Sequence, residues 1–231
     1  MRTSGNRLTK ERNLIVISAW AGIVGAILLN VVPTVTGLFT PGYSTSSQTI
    51  NDLGIGPTAW IVNTIQFIVG VLFATFAVGF RKAIGPVINR KLTKTTALLF
   101  LSGVGRLLIA VFTVDGPWTP GKLGTPTSLH GILNIDAILF TFFSATVSIF
   151  IIGRNLLKAS AWRGYGWYSI ATGLAALGLF ILTITLSGQF GQFIGLFERG
   201  RILVPTSWFG VTGLRLLRSR SSLTAPVAGR A

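Results

Sequence analysis

Residues 14–38 read LIVISAWAGIVGAILLNVVPTVTGL, a run without a single charge. A helix needs about 20 predominantly apolar residues to cross the roughly 30 Å hydrocarbon core of a bilayer. This run is long enough. It also exceeds the roughly 7–15 apolar residues of a cleaved signal, and no A-x-A site follows it. It reads as a first span that stays in the chain.

The same pattern recurs outward from it. Residues 60–80 carry no charge, 95–114 only Arg106, 129–152 only Asp136, and 164–186 none. A sixth, weaker segment covers 198–217. Its uncharged part, 202–214, is short and has Pro205 near its start, with Glu198, Arg199 and Arg201 at its mouth. Long Arg side chains can snorkel to the headgroups from there. The expected fold is an all-α integral membrane bundle of six helices. A basic N-terminal tail (1–13) and a disordered C-terminal tail (218–231) flank it.

Composition agrees. Half of the 231 residues are hydrophobic and 11% are charged, against about 25% charged in ordinary soluble domains. The chain has no Cys, which excludes disulfides, thiolate metal sites and cysteine nucleophiles. One His and five acids leave little material for metal binding or acid–base chemistry, and no cofactor or metal is expected. There is no H-E-x-x-H, G-x-S-x-G, P-loop or dinucleotide fingerprint.

The net charge of +15 gains meaning when sorted by segment. Arg2, Arg7, Lys10 and Arg12 precede the first span. Arg81, Lys82, Arg90, Lys91 and Lys94 lie between the second and third. Arg154, Lys158 and Arg163 lie between the fourth and fifth, and Arg215, Arg218, Arg220 and Arg230 close the chain. The alternate loops hold only Lys122, Arg199 and Arg201. The positive-inside rule then places both termini in the cytoplasm and requires an even number of spans. The plasma membrane is the expected location. Scattered over four segments without a nucleic-acid motif, these basic residues are expected to meet anionic lipid headgroups and not nucleic acid.

Small residues four apart, Ser187, Gly191 and Gly195, and Ala171 with Ala175, suggest close helix approaches. Trp60, Trp118, Trp162, Tyr165 and Trp167 lie near span ends, where an interfacial belt would place them.

Few residues can carry chemistry. An Arg within a span costs at least about 2.5 kcal/mol on insertion scales, so Arg106 should face the interior and have a partner. Thr95, Leu99, Ser102, Gly103, Ala110 and Thr113 share its stripe at three- and four-residue spacing. His130, Asn134, Ala137, Thr141, Ser144 and Ser148 form a second polar stripe, on span four, with Asp136 on another face. Two protein-facing sides would make span four a central helix. An Arg106–Asp136 ion pair is the leading expectation, with Glu198 and Asp115 as competitors. The candidate ligand-binding set is Asp52, Arg106, Asp115, His130, Asp136, Glu198 and Arg199.

The order of motifs resembles a bacterial and archaeal membrane family known as domain of unknown function 998. The matching segments are Tyr43-Ser-Thr-Ser-Ser-Gln-Thr-Ile-Asn-Asp-Leu-Gly54, Gly56-Pro-Thr-Ala-Trp60, Val111-Phe-Thr-Val-Asp115, Leu129-His-Gly131 and Glu198-Arg199. The resemblance implies six membrane helices and no established activity. Relatives often carry a second His four residues after the first, where this chain has Asn134. That departure removes the i, i+4 pair on which a metal role for His130 would rest.

Three functional readings follow. The first is a membrane protein that binds a lipid headgroup or small molecule in an outward-facing polar pocket. The second is a small-solute transporter or channel. The third is an intramembrane lipid hydrolase, which requires His130 within hydrogen-bond reach of Asp52 or Asp115.

Overall fold

The computed structural model describes residues 2–87, 93–116, 126–186 and 190–223. Six helices account for most of them: α1 (Arg2–Leu38), α2 (Ala59–Ile84), α3 (Thr93–Val111), α4 (Leu129–Leu156), α5 (Arg163–Leu186) and α6 (Ile194–Leu223). Short 3₁₀ turns lie at Ile50–Gly54, Gly56–Thr58, Ser160–Trp162 and Gly191–Phe193, and no strand occurs among the described residues.

Helices α1 to α5 contain segments long and apolar enough to cross a membrane. Helix α6 is not among them, since it carries Glu198, Arg199, Arg201, Arg215 and Arg218. At 30 residues it is nonetheless about 45 Å long. Its place in the bundle comes from packing between α1 and α5.

Each helix packs on its neighbours in sequence, and α6 returns to α1, so the six form a closed ring. Consecutive helices run antiparallel. Arg106 meets Gln66 while Thr93 meets Arg81. Trp208 meets Ser169 while Arg215 meets Ala161. The ring therefore has a terminal end, where α1 begins and α6 finishes, and a loop end that carries residues 39–58 and the start of α4. Up-and-down topology of this kind suits helices whose apolar faces are covered by their neighbours.

Backbones touch where glycines allow it. A Cβ on Gly103 would lie 2.6 Å from the Ala74 nitrogen and 2.7 Å from the Gly70 carbonyl, so α2 and α3 cross in direct contact there. In lipid, such small-residue crossings let dispersion replace the absent hydrophobic drive. Ala171 and Ala175 do not serve this way, since both face outward. Ser187 lies outside the described residues.

The terminal half is filled with aromatic rings. Phe73, Phe76, Phe80, Trp208 and Phe209 are each no more than 2% exposed. Phe73 stacks on Phe209 at 4.0 Å, and Trp208 meets Phe80 edge-on at 5.6 Å. The Trp208 indole N–H donates to the Ser169 hydroxyl at 2.8 Å. Arg215 lies 4.2 Å over the Trp162 ring and donates to the Ala161 carbonyl. Trp162 and Tyr165 are thus buried core residues and not belt residues, because Arg215 and Trp208 cover them. Trp60 and Trp167 are exposed, as a belt requires. Trp118 lies outside the described residues.

Several boundaries differ from the expected ones. Helix α1 continues back to Arg2 and α6 forward to Leu223. No Gly or Pro interrupts residues 6–13 or 214–223, so nothing in the chain stops these helices where the apolar run stops. Helix α3 ends at Val111, ahead of the β-branched and turn-forming 113–116.

Candidate functional site

The loop end is organised by α6. Gly195 and Leu196 donate their backbone N–H groups to the Ser46 carbonyl. A Cβ on Gly195 would meet the carbonyls of Gln48, Thr45 and Ser46 at 2.4–2.9 Å. Gly195 is therefore the site where the loop lies flat on the helix. Arg199, one turn on, donates to the carbonyls of Thr45 (2.9 Å), Gln48 (3.2 Å) and Gly195 (3.0 Å) and to the Tyr43 hydroxyl (2.8 Å). The guanidinium fork can satisfy several acceptors at once. Tyr43 in turn donates to the Thr49 carbonyl at 2.8 Å. Burial raises the Tyr43 phenol above its ordinary pKa, against the pull of Arg199. Arg199 is thus a clamp holding loop 39–58 to α6. Asp52 completes the same loop. It accepts from the Thr49 backbone at 2.7 Å while Thr49 accepts from the Asp52 backbone, a reciprocal capping box.

Asp115 organises the start of α4. Its carboxylate accepts from the Thr127 and Ser128 backbone N–H groups and from both hydroxyls, while the Ser128 hydroxyl caps α4 at Gly131. Hydrogen bonds, led by that from the Ser128 side chain, hold Asp115 well below the usual carboxylate range. His130 is exposed and rests edge-on against Phe112 at 5.4 Å.

Asp136 is also exposed, on the outer surface of α4. The expected Arg106–Asp136 ion pair does not form. Helix α4 sits in the ring between α3 and α5, so it has one inner face and not two. That face carries the Asn134, Ala137, Thr141, Ser144 and Ser148 stripe, all buried, and turns Asp136 away from Arg106.

Inside the ring, beneath loop 39–58, is a cavity of about 50 Å³. Arg106 reaches it from α3, Gln66 from α2, Thr141 from α4, and Glu198 and Arg201 from α6. Arg106 is 8% exposed and Glu198 5%. Arg106 donates to the Gln66 side-chain carbonyl at 2.8 Å, a neutral acceptor. The Glu198 carboxylate accepts from the Ile50 backbone at 2.6 Å and lies 3.9 Å from Arg201. The Arg201 guanidinium sits over the rings of Phe142 and Phe180, at 5.6 and 5.8 Å. Pro205 also lines the cavity, and as a proline it cannot donate to the Arg201 carbonyl one turn back. Three lining groups have no hydrogen-bond partner: Nε of Arg106, Nε of Arg201 and the Thr141 hydroxyl. A smaller hollow of about 10 Å³ shares Asn51, Gln66 and Ile109 with the cavity and extends to Thr113 and Asn134.

Of the seven candidate residues, then, Arg106 and Glu198 line the cavity. Asp52 and Arg199 hold the loop above it, Asp115 holds the Thr127–Ser128 segment ahead of α4, and His130 and Asp136 lie on the exterior. Sequence reading left Arg201, Gln66 and Thr141 out of the set. Arg201 could have been found, since it follows Glu198 by three residues and so shares its face. Gln66, one of two amides in an uncharged span beside Asn63, gave a fainter signal of the same kind.

No curated protein and no solved structure matches the chain. One family model does match, over residues 23–215, which is most of the chain and reaches from the second half of α1 into α6. The chain belongs to the family described as Protein of unknown function (DUF998).

Proposed function

We propose that this protein is a multi-pass binding protein of the plasma membrane, with both termini in the cytoplasm, whose working part is the loop-end cavity. The cavity accepts a small polar molecule or a lipid headgroup. One observation carries the reading: three buried polar groups from three helices line one space and lack partners. Leaving such a group unpaired costs about 1–3 kcal/mol, so a ligand that pairs with them gains what the empty site loses. Binding is favoured over passage because the Phe73–Phe209 stack lines the cavity on the side of the buried aromatic core.

Orientation rests on the basic residues gathered at the terminal end, where anionic headgroups of the inner leaflet would neutralise them. The absence of native cysteine opens the orientation to cysteine labelling. Gly116→Cys should react with an impermeant maleimide on intact cells and Lys82→Cys should not; the reverse pattern overturns the orientation. Native mass spectrometry of the purified protein should show one bound small molecule or lipid per chain. A bare mass, together with no thermal shift across extracted lipids and polar metabolites, overturns the cavity reading.

A further inference from the structure

We propose that the cavity is a site for a singly charged tetrahedral oxyanion of the phosphate class, supplied either as a lipid phosphodiester or as free phosphate. The proposal rests on the reading of the cavity as a binding site and names its ligand chemistry.

Charge comes first. Two guanidiniums, Arg106 and Arg201, and one carboxylate, Glu198, line the space. The balance is one positive charge. The single carboxylate is already engaged. One of its oxygens accepts the Ile50 backbone N–H, and the other lies 3.9 Å from Arg201. Among the described residues no carboxylate pairs with Arg106, whose guanidinium bonds instead to a neutral amide. A buried cation without a counter-charge is unfavourable unless an anion joins it. One monoanion makes the site neutral.

Donor geometry comes second. The unpartnered lining groups are two guanidinium N–H groups and one hydroxyl. The guanidinium groups can only donate. The ligand must therefore be an acceptor. The donors come from three helices, α3, α4 and α6. A planar carboxylate offers two oxygens to one side. A tetrahedral oxyanion offers oxygens in several directions, and arginine pairs with such oxygens through charge-assisted, often bidentate bonds.

Environment comes third. Phe142 and Phe180 cover Arg201, Phe73 and Phe209 line the cavity, and loop 39–58 lies at its mouth through Ile50 and Asn51. An apolar surround weakens competition from water and strengthens each charged contact.

The test uses the full chain, purified in detergent and stripped of lipid, with ligand uptake followed by native mass spectrometry. The probes are inorganic phosphate, phosphatidylglycerol, and diacylglycerol with the same acyl chains. Phosphatidylglycerol or phosphate should bind, and diacylglycerol should not. Uptake of the lipid alone identifies a headgroup; uptake of both identifies the anion itself. Arg106→Gln should weaken binding at least tenfold. Glu198→Gln removes the competing carboxylate while keeping an acceptor for Ile50, and should tighten binding several-fold. Thr141→Val should weaken it modestly. A purely architectural role would move the Arg106 and Glu198 variants in the same direction. The proposal is overturned if diacylglycerol binds as well as phosphatidylglycerol, or if Glu198→Gln weakens binding. The second outcome decides even where Arg106→Gln does not fold. A neutral ligand in the cavity would overturn the phosphate assignment and leave the binding reading standing. If no probe binds and no mass co-purifies, the binding reading itself fails.

Discussion

At the terminal end of the ring, Phe76, Phe80, Trp208 and Phe209 fill the space between the helices. At the loop end the same helices enclose Arg106, Arg201, Glu198 and a cavity. The terminal end also has an arginine, Arg215, but it is spread over Trp162 and Tyr165 and tied to a carbonyl. The loop-end cations share one space with a carboxylate. Ring closure alone does not demand this difference, since the terminal end shows that these helices can fill the space between them with rings. Dense packing stabilises one half, and the other half gathers polar groups with unmet valence around one space. Binding sites commonly trade stability for function in this way.

Substitutions can break or sharpen that contrast. The largest loss belongs to the dense half. Trp208→Ala removes a fully buried ring and orphans the Ser169 contact. Unfolding in detergent should show a loss of about 3–5 kcal/mol. A loss below about 1 kcal/mol would mean that the terminal half is no better packed than the cavity. Next comes the clamp. Arg199→Ala leaves three loop and helix carbonyls without their donor and should cost about 2–3 kcal/mol. Protease should then cut within 39–58. Arg199→Lys should not rescue it, because a single ammonium cannot reproduce the fork. The third effect is smaller and opposite in sign. Arg106→Gln removes a buried cation that has no anionic partner, and the ligand-free protein should gain on the order of 1 kcal/mol. If it instead falls as far as the clamp variant does, Arg106 is a structural residue and the contrast between the halves disappears.

The smallest effect is a pH dependence at the rim. The pKa of Asp115 is depressed in the folded protein by hydrogen bonds to Ser128 and Thr127. Its contribution is therefore present above the ordinary value near 3.8 and is lost as pH falls through the lower folded value. Asp115→Asn should flatten the acid limb of a stability–pH curve and change little at neutral pH. A curve identical to that of the unsubstituted protein would remove Asp115 from the architecture of α4.

How much of this was legible follows from what fixes each feature. Uncharged runs of bilayer length identify helices one by one, and five of six needed nothing more. The polar stripe through Ser102 and Arg106, and that through Asn134 and Thr141, also follow from spacing, because a helix has one period. The partner of Arg106 did not. Choosing Asp136 requires knowing how α4 is rotated about its axis, and that is set by its packing on both α3 and α5. Arg199 and Arg201 show the same limit. They are two residues apart, so about 200° separates them around α6. One turns to the loop and the other to the cavity, although composition treats them alike.

Helix α6 is the least lipid-compatible of the six, yet it closes the ring and contributes Glu198 and Arg201 to the cavity. Charged residues at the centre of a lone helix each oppose partitioning from the translocon by about 2.5–3.5 kcal/mol. Helix α6 is also the last to leave the ribosome. By then α1 to α5 have been made, together with loop 39–58, which offers Arg199 its carbonyl acceptors, and Ile50, which offers Glu198 its donor. The earlier helices thus act as an internal template for the insertion of the last one. The cavity cannot exist before that step, so a chain that stalls short of α6 is an open five-helix arc with Arg106 left at its unsealed inner face.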